Sequence, residues 1–563
     1  MLITAVTFAP VQSFIRSSRK LRDLYGSSLL LSHLARALYN DASQKLSRHA
    51  VISPAEVNST RGVPNTLLIQ GAYSRADAEQ ALLSAWKQVL QACRDYLEAL
   101  PYKEPGWVAE HWDAAQWQAG WGASWEACGR HSWELFHGQG PSIAAAESAL
   151  SQHKQRRAWE IPNWTGESST LSSADAIVRP RMAERHDPRL AVSTAQKQEA
   201  RELLAVLRHN DNLGEAFADE NEEISLSELV KRLVTYRQVA GKAFGPIKEL
   251  AELAEKILPK RFKNTSTHRQ QDGKESPESI VWFMADGDQV GDRLRQFSGT
   301  ANEEQERRNF SRSMRQWADA LYSKVPEKMG KDHATVVYAG GDDLFGALHE
   351  SSPGAPMSRD LLFQWLEVFP ELWQENGQKG LTASMGLVWA DHQVPQREAL
   401  QHARDAESSA KARGRNRFAL RLLYAGGNHL QWTCPWDWLQ PILSHYRDRE
   451  GRGAASSPAS SAANGAKAKP PSWRHLAEDL IWLRERHAIG DAIHLGASDS
   501  ATRQERNAKA EAVTRGLLQA YFPGWNPPDK PEKGRRLDQW LIDLALVMSG
   551  LERWRDAPRE STP

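Results

Sequence analysis

The sequence of 563 residues is short of cysteine, has no long apolar run and carries no excess of either charge. Its three cysteines, Cys93, Cys128 and Cys434, lie far apart, and no CxxC spacing occurs. That supports neither a disulfide framework nor a cysteine zinc knuckle, and it fits a reducing cytoplasm. No apolar stretch of about 20 residues is present, so no membrane span is expected. The opening Met1-Leu2-Ile3-Thr4-Ala5-Val6 is too short for a secretory signal and lacks a basic leader. With 71 basic and 70 acidic residues the net charge is +1, which neither suggests nor excludes nucleic-acid binding, because local patches decide it. No short-period repeat is visible.

Tryptophan, by contrast, is plentiful at 22 residues. Trp117, Trp121 and Trp125 recur at i, i+4 and i+8, on one face of a helix. Such a stripe reads as a packed or partner-facing aromatic face, with a base-stacking platform as the alternative.

The pattern along the chain alternates α/β units with helical segments. Residues 1–8 read as a strand, followed by a turn at Pro10 to Ile15 and a basic helix. Val63 to Gln70 reads as a strand and Ala76 to Leu100 as a helix by its apolar period. Residues 101–195 look irregular, 196–260 return to helix, and the polar run 263–278 looks like a linker. A second unit follows: strand Ile280 to Ala285, helix Glu304 to Ser323, strands Ala334 to Tyr338 and Leu344 to Leu348, helix Leu361 to Trp373, strand Thr382 to Ala390, helix Gln396 to Lys411 and strand Phe418 to Tyr424. The order β-α-β-β-α-β is that of a ferredoxin-like palm. Residues 451–472 are rich in Gly, Ala, Ser and Pro and read as a flexible loop, while 473–557 read as a helical bundle.

These segments imply an α+β protein with two palm-like domains interleaved with two helical ones. Residues 1–195 form the first palm with its tryptophan-rich insertion and 196–278 a helical domain. The second palm takes 279–428 and a carboxy-terminal helical domain 429–563. Both α/β units begin strand, turn, helix, as diverged copies of one palm would.

The chemistry concentrates in Gly340-Gly341-Asp342-Asp343, between two apolar strands. Glycines there allow positive φ and close approach of triphosphate oxygens. Adjacent carboxylates repel each other, and an exposed pair at a strand end suits a hard cation such as Mg²⁺ or Mn²⁺. A plain turn is the bland alternative, since Gly and Asp are turn formers. Asp286 and Asp288, at the end of the strand Ile280 to Ala285, fall beside this hairpin in a ferredoxin-like sheet and complete a candidate metal site of Asp286, Asp288, Asp342 and Asp343. Two metals there would activate a 3′-hydroxyl and neutralise pyrophosphate. Lys411, Arg413 and Arg415 end a helix, where cations suit the dipole. Alternatively Lys411 and Arg415 pair with triphosphate oxygens.

The Gly340 to Asp343 hairpin with Ala399, Ala410-Lys411 and Gly414-Arg415-Asn416 resembles the GGDEF-type cyclase palm. The start, with Gln12-Ser13-Phe14-Ile15, Arg19-Lys20-Leu21-Arg22-Asp23-Leu24 and Gly26-Ser27-Ser28-Leu29, is similar to the large subunit of type III CRISPR effector complexes, nearest the Cmr type. The resemblance spans residues 1–40 and 280–425. It implies that the second palm converts ATP into cyclic oligoadenylates when guide and target RNA pair in a complex with other subunits. Asp342 and Asp343 are then catalytic metal ligands with Asp286. Gly340, Gly341, Lys411, Arg415, Asn416, Gln12 and Ser27 serve nucleotide binding. The first palm, lacking an aspartate pair, binds a second ATP without supplying metals.

Many relatives carry an HD nuclease before the first palm. Here the palm begins at residue 1 and His186-Asp187 reads as a loop, so no HD nuclease is expected. Serines stand in the run Gly166 to Ser173 where relatives have zinc cysteines, so no structural zinc is expected. A catalytically silent scaffold of the same complex and a free-standing diguanylate cyclase are the competing readings. The intact aspartates weigh against the first, and the amino-terminal palm without a sensor domain against the second.

Overall fold

The structure is a computed structural model. It describes residues 2–58, 62–100, 120–156, 164, 167–173, 175–182, 194–209, 217–219, 221–245, 280–330, 333–350, 357–376, 380–453, 470–490, 500–528 and 531–556. Trp117, the polar run 263–278 and His186-Asp187 lie outside the described residues.

The first unit runs β1 (Ile3–Ala9), α1 (Gln12–Arg16), α2 (Leu21–Lys45), β2 (Val51–Ser53), β3 (Thr66–Gln70), α3 (Arg75–Ala99), α4 (Gly120–His131), β4 (Glu134–Gly140) and α5 (Ile143–Gln155). Its sheet has the order β2-β3-β1-β4, with β1 antiparallel to both β3 and β4. Alternation along β1 explains the layers. Val6 and Phe8 face one core with Leu34, Trp86 and Trp121, whereas Ile3 and Ala5 face another with Phe136, Ile143 and Leu150. Each fully buried Val, Leu, Ile or Phe among them contributes about 1.5–3 kcal/mol.

Two parts of this unit differ from the sequence reading. Residues 120–155, expected to be irregular, form α4, β4 and α5 and complete the sheet. The tryptophan stripe is core: Trp121 and Trp125 are buried and meet edge to face at 5.5 Å. Second, α6 (Thr194–His209), α7 (Leu226–Leu233) and α8 (Arg237–Phe244) share the core of α2 and α3, so within the described residues they cap the first palm and build no core of their own.

The second unit runs β5 (Ile280–Gly287), α9 (Val290–Phe297), α10 (Glu303–Met329), β6 (Ala334–Gly340), β7 (Asp343–Leu348), α11 (Arg359–Asn376), β8 (Ala383–Ala390), α12 (Gln396–Ala412), β9 (Arg417–Leu423) and β10 (His429–Pro435). The sheet order is β10-β9-β8-β5-β7-β6. Its segment β8-β5-β7-β6 has the same strand order as the first sheet, β4-β1-β3-β2, so both units share the ferredoxin-like topology. The domain boundary drawn at residue 428 falls inside a hairpin, because β10 pairs antiparallel with β9, Trp432 opposite Leu420.

A glycine device recurs in both palms. In β4 a Cβ on Gly138 would collide with the backbone of Ala146 and Leu150 in α5. In β8 a Cβ on Gly386 would collide with the backbone of Ala403 and Glu407 in α12. In each case the fourth palm strand lacks a side chain where the following helix crosses it, so the helix lies directly on the strand. In the second palm this contact fixes the α12 face that bears Arg404, Glu407 and Lys411.

Beyond η-turn Trp436–Trp438 come α13 (Leu439–His445), α14 (Arg474–Glu485), α15 (Ser500–Tyr521) and α16 (Leu537–Asp556). They share the second palm's core through Trp432, Trp473, Phe522 and Trp540. Trp540 Nε1 donates to the Thr433 carbonyl of β10 at 2.7 Å.

The palms meet through one face of α10, at the spacing of successive helical turns. Arg308 donates to the carbonyls of Val51 (2.6 Å) and His49 (2.7 Å), Ser311 Oγ accepts from the Ala55 amide (2.8 Å), and Arg315 donates to the Gly62 carbonyl (2.9 Å). On the α12 side of the second sheet, Ile280 and Trp282 pack in one cluster with Ala399, Leu400 and Ala403 of α12 and Leu24 of α2.

Candidate active site at the second palm

The strands β6 and β7 are joined by a two-residue turn, Gly341-Asp342, closed by the pair Gly340 and Asp343. Gly341 sits at φ 71°, a conformation that tight hairpins demand and glycine adopts freely. Gly340 is needed for a different reason. Its φ is ordinary, but a side chain there would collide with the Tyr338 hydroxyl.

The first palm closes over this turn. A Cβ on Gly62 would lie 2.9 Å from the Ala339 carbonyl and from the Tyr338 ring, and one on Gly341 3.9 Å from Pro64. The long β2–β3 connection of the first palm therefore meets the short β6–β7 turn of the second, and Arg315 holds it there.

Antiparallel pairing of β5 with β7, Ala285 opposite Leu344, brings Asp286 to the same sheet end as Asp342 and Asp343. Asp342 packs against Gly287, where a Cβ would come 3.0 Å from the Asp342 Cβ. Burial pushes Asp342 up to about 8, and the neighbouring Asp286 and Asp343 add to the rise. Asp343 is raised first by loss of water and then by Asp286, with Lys411 acting against the shift. Crowded acids of this kind gain a cation readily, because a cation relieves both desolvation and repulsion.

From above, α12 lends Lys411, which contacts Asp286 and lies 2.9 Å from Glu407. Burial pulls the ammonium's pKa down, but the hydrogen bonds to Asp286 and Glu407 outweigh it and hold it above its ordinary value. Arg404, two turns earlier on this face, is lowered by burial and then by Arg16 of α1, while Asp343 acts the other way. The acidic turn thus faces cations from both palms.

Not every residue expected at the site reaches it. Asp288, expected as a metal ligand, is 2% exposed and does a structural task. Its Oδ1 accepts from Ser384 Oγ (2.7 Å) and its Oδ2 from Thr382 Oγ1 (2.7 Å) and the Asn416 amide (2.9 Å). It lies one residue past the end of β5, and three donors engage it there. Ser27 is fully buried, and its hydroxyl donates back to the Asp23 carbonyl inside α2. Gln12 is exposed at the start of α1. Arg415 and Asn416 occupy left-handed backbone, φ 61° and 49°, in the loop that follows α12. Arg404 and Glu407 are the residues that the motif reading missed; their i, i+3, i+7 spacing with Lys411 was the available signal.

The donor set of Asp286, Asp342 and Asp343 is all carboxyl oxygen at one strand end, which fits a hard divalent cation. As the side chains stand, no group of three or more His, Cys, Asp or Glu among the described residues is placed to hold a metal ion. In this structure the Lys411 ammonium is the charge that Asp286 meets. No helix among the described residues is long and apolar enough to cross a membrane.

Residues 280–419 match the family model described as Cas10/Cmr2, second palm domain, and residues 3–61 that of CRISPR-associated protein Cmr2, N-terminal. No curated protein matches the sequence. Among solved structures, the type III-B Cmr-beta cryo-EM structure of the apo state is similar over 98% of this chain and 82% of that chain, at 10% identity and a TM-score of 0.48. The Csm1-Csm4 cassette in complex with AMPPNP is similar over 98% and 69%, at 14% identity and a TM-score of 0.46. The same cassette in complex with cA4 is similar over 97% and 70%, at 13% identity and a TM-score of 0.44.

Proposed function

We propose, from the premise that this chain carries the Cas10/Cmr2 second palm and the Cmr2 amino-terminal domain of a type III CRISPR large subunit, that it joins ATP into cyclic oligoadenylates. It does so within a ribonucleoprotein whose guide RNA has paired with target RNA, in the cytoplasm and beside other subunits. One observation carries the reading: Asp342 in a glycine turn stands against Asp286 of the adjoining strand, with the first palm closed over the turn and cations of α12 facing it.

Asp286, Asp342 and Asp343 would hold Mg²⁺ or Mn²⁺. Such an ion, when bound, lowers the pKa of an attacking 3′-hydroxyl and neutralises the leaving pyrophosphate. The chain's own contribution is positioning and charge, which is most of what phosphoryl transfer needs. Gly341, whose missing side chain leaves the nearest neighbour 3.9 Å away, lets triphosphate oxygens approach the backbone, while Gly340 makes room for the Tyr338 hydroxyl. Lys411 and Arg415 receive those oxygens as charge-assisted donors, and the Asn416 side chain adds an amide donor in the same loop. Glu407 keeps Lys411 oriented along α12. Arg404 and Arg16 add positive charge from the two palms on either side of the turn.

The test is turnover of labelled ATP by the full complex with guide and target RNA, wild type against Asp342→Ala/Asp343→Ala. Loss of the metal ligands removes several kcal/mol of stabilisation, so turnover should fall on the order of 100-fold or more. Equal turnover rejects an enzyme centred on this turn, and faster use of GTP than of ATP rejects the adenylate assignment.

A further inference from the structure

The loop that follows α12, residues 413–417, carries Arg415 and Asn416 in consecutive left-handed conformations. Side chains rarely adopt this backbone, and it persists only where neighbours over-determine it. Beside the Trp436 amide on the Asn416 carbonyl and Thr433 on Arg413, both at 3.4 Å, the closer neighbours come from three places. From β5, Asp288 accepts the Asn416 amide at 2.9 Å. From the loop itself, Arg417 Nε donates to the Arg415 carbonyl at 3.0 Å. The third comes from the turn 531–535, which lies between α15 and α16 of the carboxy-terminal helical segment, more than 100 residues along the chain.

That turn grips the loop at both ends. Glu532 accepts from Arg413 Nη1 at 3.1 Å, the Lys533 amide donates to the Arg413 carbonyl at 3.0 Å, and Arg417 Nη1 donates to the Pro531 carbonyl at 3.2 Å. Glu532 is 3% exposed. The turn is in turn anchored to the bundle by Arg535, whose Nη1 lies 2.9 Å from Asp543 of α16. We infer that Glu532 is a positioning residue for the nucleotide site: through Arg413 it holds the Arg415–Asn416 loop in its left-handed form, so that the carboxy-terminal helical segment sets how tightly the second palm grips a nucleoside triphosphate.

This rests on the reading that the loop receives triphosphate oxygens. A positioning role predicts a loss in nucleotide binding with the chemistry intact. In the full complex, Glu532→Ala should raise the KM for ATP about tenfold with kcat changed less than about threefold, the loss of one loop-ordering hydrogen bond to a charged group. Glu532→Gln, which can still accept from Arg413, should restore most of the affinity.

Lys533→Pro supplies an independent arm. Lys533 precedes Gly534, φ 78°, in the second position of a tight turn where proline is favoured; the substitution removes the amide donated to Arg413 and sets the ring against that carbonyl, so the loop is pushed off the turn. It should raise KM in the same direction. Amide hydrogen exchange over residues 411–417, read without nucleotide, should quicken in both Glu532→Ala and Lys533→Pro. Wild-type KM together with wild-type exchange in these variants overturns the inference. A wild-type complex that turns over no ATP overturns the function instead, and the exchange measurement then decides the positioning claim alone.

Discussion

Asp288 separates a structural carboxyl from the proposed metal ligand Asp286, two residues away. Replacing it with alanine strands Ser384 Oγ, Thr382 Oγ1 and the Asn416 amide. Ser384 is fully buried and has no route to water, whereas Thr382 is half-buried and Asn416 exposed. A stranded buried donor costs about 1–3 kcal/mol, and the two partly exposed ones less, so the total is about 3 kcal/mol. For a unit of this size, that lowers the melting transition by roughly 6–12 °C. Differential scanning calorimetry of Asp288→Ala and of Asp286→Ala makes the comparison. Asp286 carries like-charged neighbours at a strand end, so its removal should leave the transition of the second palm nearly in place while abolishing turnover. A transition in Asp288→Ala that stays within about 2 °C of wild type refutes the assignment of Asp288 as an anchor, since three lost hydrogen bonds cannot be that cheap.

Two further predictions concern the first palm. Gly26 of α2 lies where a Cβ would overlap the carbonyl of Lys231 in α7; neither helix backbone can yield, so Gly26→Ala should destabilise by about 3 kcal/mol, read as a lowered denaturant midpoint. His33 is 7% exposed against Phe244, neither ring nitrogen has a hydrogen-bond partner, and burial followed by Arg36 pulls its pKa down to about 4. A base depressed in the folded state takes its proton more easily when unfolded, so stability is lost as pH falls from about 6.5 toward 4, by roughly 3 kcal/mol at most. His33→Leu should flatten the stability profile over that window, and an unchanged slope contradicts the buried neutral imidazole.

The second palm was legible because local signals agree with its fold. Apolar strands end in turn-forming Gly and Asp, and helices keep their apolar period, so β5, β6, β7 and β8 fall within a few residues of expectation. The strands that were missed are those whose pattern only tertiary contact explains. In β4, Gly138 and Gly140 look like loop residues until α5 is seen lying on them. In β10, Leu430, Trp432 and Cys434 do alternate inward, but the preceding Gly426-Gly427-Asn428 reads as a boundary when it is a hairpin connection. At the site the same limit applies. The motif names Asp286 and Asp288 alike, and only the positions of Thr382, Ser384 and Asn416 separate the carboxyl beside the turn from the one that ties down a loop. The contact of Gly62 and Pro64 with the turn joins residues nearly 280 apart, beyond any local pattern.

The central claim is that the Asp342–Asp343 turn makes cyclic oligoadenylates from ATP. Mass spectrometry of the products of the reconstituted complex, with guide RNA, target RNA, ATP and Mg²⁺ or Mn²⁺, tests it most directly. The account expects cyclic oligoadenylates from the wild type, dependent on target RNA and absent from Asp342→Ala/Asp343→Ala. Unchanged ATP from a fully assembled wild-type complex, or the same products from the mutant, would contradict it.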